Sequence, residues 1–242
     1  MLKDVVAGCI CGVVHSGTTI TLKVLRQHPD LTSPVEGHVL RLNRVSDLKT
    51  KKKRRSVIKP GWHLSKNQLE EASAKKNLES LYRYLRLACP IIKDNEKNKR
   101  LIDKTPSYAY HLLSCMEKSE DVPFIIVKKD PRNLYYSLSK RGVSWDQFCR
   151  LYRVSYEVGI SQCLEKFKKR MLIIHWEGLM RNPVKITRKM CKHVGVEFRE
   201  DVYSSIYFEK KLKADLIYSY KKLSLKNIKR VEKSFKNHCI DI

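Results

Sequence analysis

With 242 residues, of which 42% are hydrophobic, the chain is long enough for one well-buried domain over residues 1–242 and short for two. Lys and Arg outnumber Asp and Glu by 50 to 25, a formal net charge of +25, which favours anionic partners such as nucleotides, acidic glycans, nucleic acid or acidic membrane surfaces. No apolar run approaches the roughly 20 residues of a membrane-spanning helix, so no transmembrane segment is expected.

Residues 5–14 form the first predicted element, a continuous apolar run with β-branched residues. Such a run is typical of a strand buried on both faces at the centre of a parallel sheet. It follows Lys3 as a short signal peptide would, but it continues without a cleavage site into a glycine and threonine turn, so we expect a cytoplasmic protein. Cys9 and Cys11 lie inside the run and are interpreted as structural thiols. No Cys or His pair has zinc-ligand spacing, and no metal is predicted.

Strands and helices alternate along the rest of the chain. Apolar runs predict strands at 101–103, 124–127 and 171–176, and helical periodicity predicts helices at about 20–28, 66–88, 106–116, 132–141, 145–169, 183–194 and 225–236. Gly195 is placed to end the helix that precedes it. This alternation predicts a three-layer α/β fold, with a central parallel sheet flanked by helices.

Residues 41–66 interrupt the alternation. They are basic, contain Pro60 and Gly61, and show no sustained period, which predicts an irregular insertion. The cluster from Lys51 to Arg55 is compatible with a polyanion contact, a nuclear address or a solvated loop, and the sequence leaves these readings open.

A phosphate-binding loop is predicted between the first strand and the first helix. Gly12 and Gly17 have the separation of the two glycines in a P-loop, and Thr18 and Thr19 follow. In that context backbone N–H groups and the positive end of the helix hold a phosphate. Thr18 stands where a triphosphate-binding loop has lysine, which favours a P-loop-like fold whose nucleotide has a shorter 5′ group. A structural turn without a ligand is the alternative.

Three segments resemble the signatures of the sulfotransferase family. The loop from Ser16 to Thr19, with His28-Pro29-Asp30 after it, resembles the 5′-phosphosulfate loop of that family. The segment from Lys129 to Ser137 resembles its 3′-phosphate site, and Trp176-Glu177-Gly178-Leu179 resembles a late strand and helix. The resemblance covers roughly residues 5–36 and 101–198.

The resemblance implies that 3′-phosphoadenosine 5′-phosphosulfate (PAPS) is the sulfuryl donor. A hydroxyl at a helix N-terminus with flanking cations forms a compact anion site. The residues expected to bind the donor are His15, Ser16, Gly17, Thr18, Thr19, Lys129, Ser137 and Arg141.

The resemblance also implies catalytic groups. Glu36 matches the general base of protein-tyrosine sulfotransferases and related members, with His38 as the second candidate. Lys104 matches the lysine beside the transferring sulfuryl group, where its charge offsets developing negative charge. The residues alone leave two other interpretations open: Glu36 as a surface glutamate, and Lys104 in a plain salt bridge with Asp103 or another acid.

Two positions depart from the family pattern. His15 stands where the family usually has Arg or Lys, and its charge near pH 7 depends on its surroundings; it remains a catalytic candidate as a donor to the leaving oxygen. Lys129 replaces the commoner Arg, keeping the charge without the bidentate geometry. Trp176 is expected near the nucleotide or in the core, and the segment from Tyr218 to Lys222 is a candidate to close over the 3′-phosphate.

The predicted function is in-line transfer of a sulfuryl group from PAPS to a hydroxyl or amine. The positive charge favours an acidic glycan or peptide as acceptor, and we predict a carbohydrate hydroxyl over a protein tyrosine, with no specific nucleic acid partner. The alternatives are a P-loop nucleotide kinase or phosphotransferase, against which Thr18 argues, and a non-catalytic polyanion-binding protein on the same fold. The prediction requires the loop and the Lys129 site to face one pocket.

Overall fold

A single parallel sheet organises the computed structural model, which describes residues 1–203 and 214–240. Within those residues the sheet has five strands in the order β2-β3-β1-β4-β5. The strands are β1 (Val6–Cys11), β2 (Leu31–Thr32), β3 (Arg100–Lys104), β4 (Phe124–Lys128) and β5 (Met171–His175). The four predicted strands are confirmed, and β1 is central as expected. The two-residue β2 was not predicted, because it is too short to carry a periodic pattern.

The helices cover both faces of the sheet. They are α1 (Thr18–Leu25), α2 (Asp47–Thr50), α3 (Lys52–Gly61), α4 (Lys66–Ser73), α5 (Leu78–Ala88), α6 (Leu112–Lys118), α7 (Pro131–Ser139), α8 (Trp145–Tyr152), α9 (Gly159–Phe167), α10 (Trp176–Arg181), α11 (Pro183–Val194) and α12 (Leu225–Phe235). No helix in these described parts is long and apolar enough to cross a membrane.

The core consists of two apolar layers, one on each face of the sheet. After an irregularity in register between Val6 and Gly8, alternate side chains of β1 point to opposite faces, so that Cys9 and Cys11 join one cluster and Ile10 joins the other. The first cluster includes residues of α2 to α9 and α12, and the second includes residues of α1, α10 and α11. The predicted three-layer α/β fold is confirmed.

The parallel register brings the carboxyl ends of four strands to one edge of the sheet. Ile10 pairs with Lys104, Cys11 with Ile126, and Lys128 with His175. The segments that follow these strands therefore begin side by side, at the edge where open α/β sheets bind ligands.

The prediction of an irregular insertion at 41–66 is wrong. The segment contains α2 and α3, and three widely spaced apolar side chains, Leu48, Ile58 and Trp62, are at most 1% exposed. Burial of these three side chains stabilises the helices. The apolar residues are too widely spaced among the lysines to form a recognisable helical period in the sequence. Pro60 lies in the last turn of α3, so it ends the helix instead of preventing it.

Three other predicted helices are modified. The helix expected to start at Pro106 begins as a 3₁₀ helix at Pro106–His111 and continues as α6. The helix expected at 66–88 is two helices, because α4 ends at Ser73 and Asn77 caps α5 by accepting from the Ser80 N–H. The stretch at 145–169 is helical through α8 and α9, with a π-helical turn between them at Arg153–Val158. Gly195 ends α11 with a φ of 70°, as predicted.

Candidate active site

The loop between β1 and α1 depends on two glycines. Gly17 precedes α1 with a φ of 103°, in the left-handed region that favours glycine, and a β-carbon there would overlap the Trp176 ring. A β-carbon on Gly12 would overlap Ser16 Oγ and the Val127 carbonyl oxygen. Both glycines are therefore required by the close approach of the loop to its neighbours.

The loop borders a cavity of about 540 Å³, which His15, Gly17, Thr18 and Thr19 help to line. The N-terminal turn of α1 thus faces the cavity, and free N–H groups at a helix start attract anions. Ser16 does not face it, because Ser16 is fully buried and its N–H donates to the Val13 carbonyl at 2.9 Å.

Tyr156, a residue that the sequence analysis did not single out, stabilises the loop by hydrogen bonds. Tyr156 lies in the π-helical turn; its hydroxyl accepts from the Val13 N–H at 2.9 Å and donates to the Val127 carbonyl at 2.7 Å. The two bonds connect the loop to the end of β4. The local pattern carries no signal for this role, because both partners of the hydroxyl lie far from Tyr156 along the chain.

The second predicted anion site lies at the end of β4 and the start of α7. Lys129 Nζ donates to Ser137 Oγ at 3.1 Å and lies 4.5 Å from the centre of the Trp176 ring. Burial and, to a smaller extent, the nearby Arg141 cation outweigh the opposing effects of Glu177 and Asp130 and lower the pKa of Lys129 to about 8. Trp176 is 5% exposed and lies against both Gly17 and Lys129, so it packs in the core between the two predicted anion sites.

Residues of both predicted anion sites face the same cavity. Ser137 and Arg141 line it together with His15, Thr18 and Thr19. Lys129 is not among the lining residues and reaches the cavity through its hydrogen bond to Ser137.

His15 lies between these sites, with a φ of 68°. Burial, and then the cations of Arg141 and Lys129, lower the pKa of its imidazole. The ring is therefore neutral near pH 7 until negative charge comes close to it.

Glu36 lines the cavity and has two hydrogen-bond partners. Its carboxylate accepts from Lys104 Nζ at 2.6 Å and lies 3.0 Å from His38 Nε2. Burial raises the pKa of Glu36, but the hydrogen bonds from His38 and Lys104 outweigh it and lower the pKa to about 2. Glu36 is one-third exposed and paired, and its role as a base stays a prediction; His38 contacts Glu36 itself. Lys104 pairs with Glu36 and not with its neighbour Asp103, which agrees with the alternative of a salt bridge to another acid.

The segment from Tyr218 to Lys222 docks on α7. It belongs to a short helix at Ala214–Lys222, and Asn133 Oδ1 accepts from Ser219 Oγ at 2.9 Å and from the Tyr220 N–H at 3.0 Å. The predicted late segment therefore lies beside the helix that carries Ser137, and its contact with a phosphate stays a prediction.

The cavity is cationic. Three basic side chains line it: His15, Lys23 and Arg141. Lys104 and Lys129 donate hydrogen bonds to two other lining residues, Glu36 and Ser137. Glu36 is the one acid among the described residues that line it. This charge balance suits a ligand that carries several negative charges.

Solved structures share the fold. The sulfotransferase domain of the Synechococcus PCC 7002 olefin synthase superposes with a TM-score of 0.65 at 19% identity, covering 97% of this chain and 94% of that one. Mouse sulfotransferase SULT7A1, complexed with PAP, superposes with a TM-score of 0.52 at 12% identity, covering 99% of this chain and 86% of that one. At these identities the likeness concerns the fold alone.

Sequence comparison identifies the family of the chain. The chain is 25% identical to a protein-tyrosine sulfotransferase of Drosophila melanogaster, over 80% of this chain and 38% of the relative. It is also 25% identical to protein-tyrosine sulfotransferase 1 of Danio rerio, over 83% of this chain and 56% of the relative. The chain thus matches about half or less of the length of these relatives. Residues 9–200 match the pattern of the sulfotransferase family, and the chain therefore belongs to that family.

Proposed function

We propose that the protein transfers a sulfuryl group from PAPS to a hydroxyl of an acceptor. The observation that carries the proposal is the single cavity onto which the β1–α1 loop, the Ser137–Arg141 surface and Glu36 all open. Family membership supports it, and so does the mouse sulfotransferase of the same fold, which holds PAP.

The donor would span the two anion sites. Its 5′-phosphosulfate would bind the N-terminal turn of α1, at Gly17, Thr18 and Thr19, where N–H groups and the helix dipole favour negative charge. Its 3′-phosphate would bind Lys129, Ser137 and Arg141 through charge-assisted hydrogen bonds.

The catalytic step would be an in-line displacement at sulfur. The acceptor oxygen forms the new S–O bond, the bond from sulfur to the 5′-phosphate oxygen breaks, and the acceptor proton passes to Glu36. Lys104 and His15 would offset the negative charge on the transferring group and the leaving oxygen.

The ion pair supports a specific order of events for Glu36. With Lys104 at 2.6 Å, the Glu36 pKa of about 2 makes the carboxylate a weak base. When the Lys104 ammonium turns to the sulfuryl group, Glu36 loses a donor and its pKa rises. Donor binding would therefore strengthen the base at the moment it is needed.

The acceptor has two candidates. The net charge of +25 favours an acidic glycan, as the sequence predicts. The curated relatives are named protein-tyrosine sulfotransferases, which favours a tyrosine hydroxyl in an acidic peptide as the second candidate.

A transfer assay tests the proposal directly. Sulfur-labelled PAPS is incubated with sulfated and unsulfated glycans, with tyrosine peptides and with small alcohols, using the wild type and the variants Glu36→Ala and Lys104→Ala. We expect transfer to one acceptor class and loss of transfer in both variants. The matched control is Glu165→Ala, which removes an exposed glutamate on α9. Full activity in both catalytic variants would refute the assigned roles.

Thermal melting separates the proposal from its rivals. Adenosine 3′,5′-bisphosphate (PAP) is expected to raise the melting temperature, because it binds the folded state alone, and ATP with magnesium is not. Stabilisation by ATP with magnesium alone would favour a kinase, and stabilisation by neither would favour a polyanion-binding protein without a nucleotide.

A further inference from the structure

Asp103 lies buried beneath the Glu36–Lys104 pair, next to Lys104 at the end of β3. It is 1% exposed, and its carboxylate accepts three hydroxyl hydrogen bonds. Tyr82 and Tyr108 donate to Oδ2 at 2.5 Å and 2.7 Å, and Thr105 donates to Oδ1 at 2.9 Å. Neither the family signature nor the transfer step proposed above assigns this carboxylate a role.

Two of the three hydroxyls also hold the loop that carries Glu36. The His38 N–H donates to Thr105 Oγ1 at 2.9 Å, and the Leu40 N–H donates to Tyr108 Oη at 3.0 Å. Each hydroxyl accepts from the backbone, and its own proton points to Asp103. The carboxylate therefore sets the direction of both bonds.

Gly37 brings the loop into contact with the carboxylate. A β-carbon at this position would overlap both oxygens of Asp103. On the other side of the chain, Trp62 Nε1 donates to the Gly37 carbonyl at 2.8 Å. The residue after Glu36 is thus clamped between a buried indole and a buried carboxylate.

From this arrangement we propose that Asp103 is a positioning residue: through Thr105 and Tyr108 it holds the Glu36 loop against β3, so that Glu36 stays within hydrogen-bond reach of Lys104. Asp103 touches neither the cavity nor a substrate. The catalytic consequence rests on the proposed function, whereas the positioning of Glu36 is a property of the folded chain.

The network requires a group that only accepts. All three hydroxyls donate to the carboxylate. An amide in its place has one acceptor oxygen and one NH₂ group, and the NH₂ donor would face hydroxyl donors without an acceptor. Burial raises the pKa of Asp103, and the three hydroxyl bonds oppose that rise. Asparagine is therefore expected to be a poor substitute despite its matching shape.

The test removes the two connections without removing the carboxylate. Tyr108→Phe deletes the acceptor of the Leu40 N–H, and Thr105→Val deletes that of the His38 N–H. Tyr152→Phe is the matched control, because Tyr152 is a fully buried tyrosine whose hydroxyl has no hydrogen-bond partner among the described residues. We expect kcat to fall about tenfold or more in both network variants, since small misplacements of catalytic groups are costly, while the Kd of PAP stays within about twofold. The control is expected to match the wild type.

A second readout does not depend on activity. Carbon NMR of protein labelled at glutamate carboxyls follows Glu36 without substrate. With a pKa of about 2, wild-type Glu36 stays ionised at pH 4, whereas in Tyr108→Phe the looser contacts with Lys104 and His38 raise its pKa toward the ordinary glutamate value.

The outcomes separate the two claims. If the wild type transfers sulfate but neither the Glu36 pKa nor kcat changes in the folded network variants, Asp103 does not position Glu36. Equal losses in the Tyr152→Phe control would also overturn the proposal, as a general packing effect. If no acceptor is sulfated but the Glu36 pKa moves in the variants, the positioning role stands and the proposed function fails.

Discussion

The proposed donor side and the proposed acceptor side of the cavity are built in different ways. The donor side consists of two short strand–loop–helix units, residues 12–19 and 129–141, in which neighbours in sequence are neighbours in space. The acceptor side depends on a bond between Glu36 and Lys104, which are 68 residues apart, and on a buried network beneath them. Changes on the donor side are therefore expected to weaken nucleotide binding, and changes on the acceptor side to lower kcat.

The two sides also differ in charge compensation. On the donor side, burial and neighbouring cations lower the pKa of both Lys129 and His15, so this side gains from an incoming anion. On the acceptor side the charge of Lys104 is already balanced by Glu36 at 2.6 Å. Binding of a bisphosphate is therefore expected to stabilise the protein mainly through the donor side.

The largest effect is expected from Gly37→Ala on the acceptor side. The added β-carbon overlaps the Asp103 carboxylate, which displaces Glu36, so kcat is expected to fall about 100-fold with the Kd of PAP within about threefold. Gly178→Ala is the control, because Gly178 has no positive φ and an added β-carbon there comes no closer than 3.9 Å to a neighbouring atom. Steady-state kinetics and calorimetric PAP titration measure both quantities, and a parallel loss of PAP affinity would contradict the division into two sides.

A smaller effect is expected from Lys129→Ala on the donor side. Removal of a charge-assisted hydrogen bond to the 3′-phosphate costs about 1.5–3 kcal/mol, or about 10- to 100-fold in the Kd of PAP. Adenosine 5′-monophosphate lacks that phosphate, so its affinity should not change. Calorimetry with both nucleotides decides, and equal losses for both would place Lys129 away from the 3′-phosphate.

The pH dependence of PAP affinity is a second test of the contact between Lys129 and the 3′-phosphate. The pKa of Lys129 is lowered from 10.5 to about 8 by burial, so the free protein holds the proton below pH 8 and loses it above. PAP affinity is therefore expected to be level between pH 7 and 8 and to fall above that, by at most about tenfold per pH unit. The free energy of unfolding of the unliganded protein is expected to rise over the same range. Between pH 8 and 10.5 the unfolded chain still holds this proton and the folded chain has lost it, so raising the pH favours the folded state. Lys129→Arg, whose charge persists, should remove the slope, and an unchanged slope in that variant would assign it to another group.

The smallest effect is expected at the rim of the cavity. Lys23 lines it one helical turn after Thr19, and no salt bridge to Lys23 is found within the described part of the chain. A cation in water contributes about 0.2–1 kcal/mol, screened by salt, so Lys23→Ala should raise the Kd of PAP by only about two- to fivefold. Titrations at low and high ionic strength measure this, and a loss that is independent of salt would place Lys23 in direct contact with the donor.

The prediction from sequence succeeded where structure is local. The glycine turn between β1 and α1, the step from β4 into α7 and the helix stop at Gly195 follow from contiguous residues, because strand burial, tight turns and helix ends depend on near neighbours. It failed for residues 41–66, where Leu48, Ile58 and Trp62 stabilise helices through burial against distant elements. The role of Tyr156 was invisible for the same reason, since its partners Val13 and Val127 lie far away along the chain.

By itself the sequence determined the alternation of strands and helices, the two glycines that allow the loop to form, and the excess of cations that draws an anionic ligand. Only the tertiary structure decided that residues of both predicted anion sites open onto one cavity, that contacts with Lys104 and His38 lower the pKa of Glu36, and that Asp103 is buried next to them. The physical reason is that backbone turns and net charge are properties of short segments, whereas the pKa of a carboxylate and the direction of a hydrogen bond depend on groups that only folding brings together.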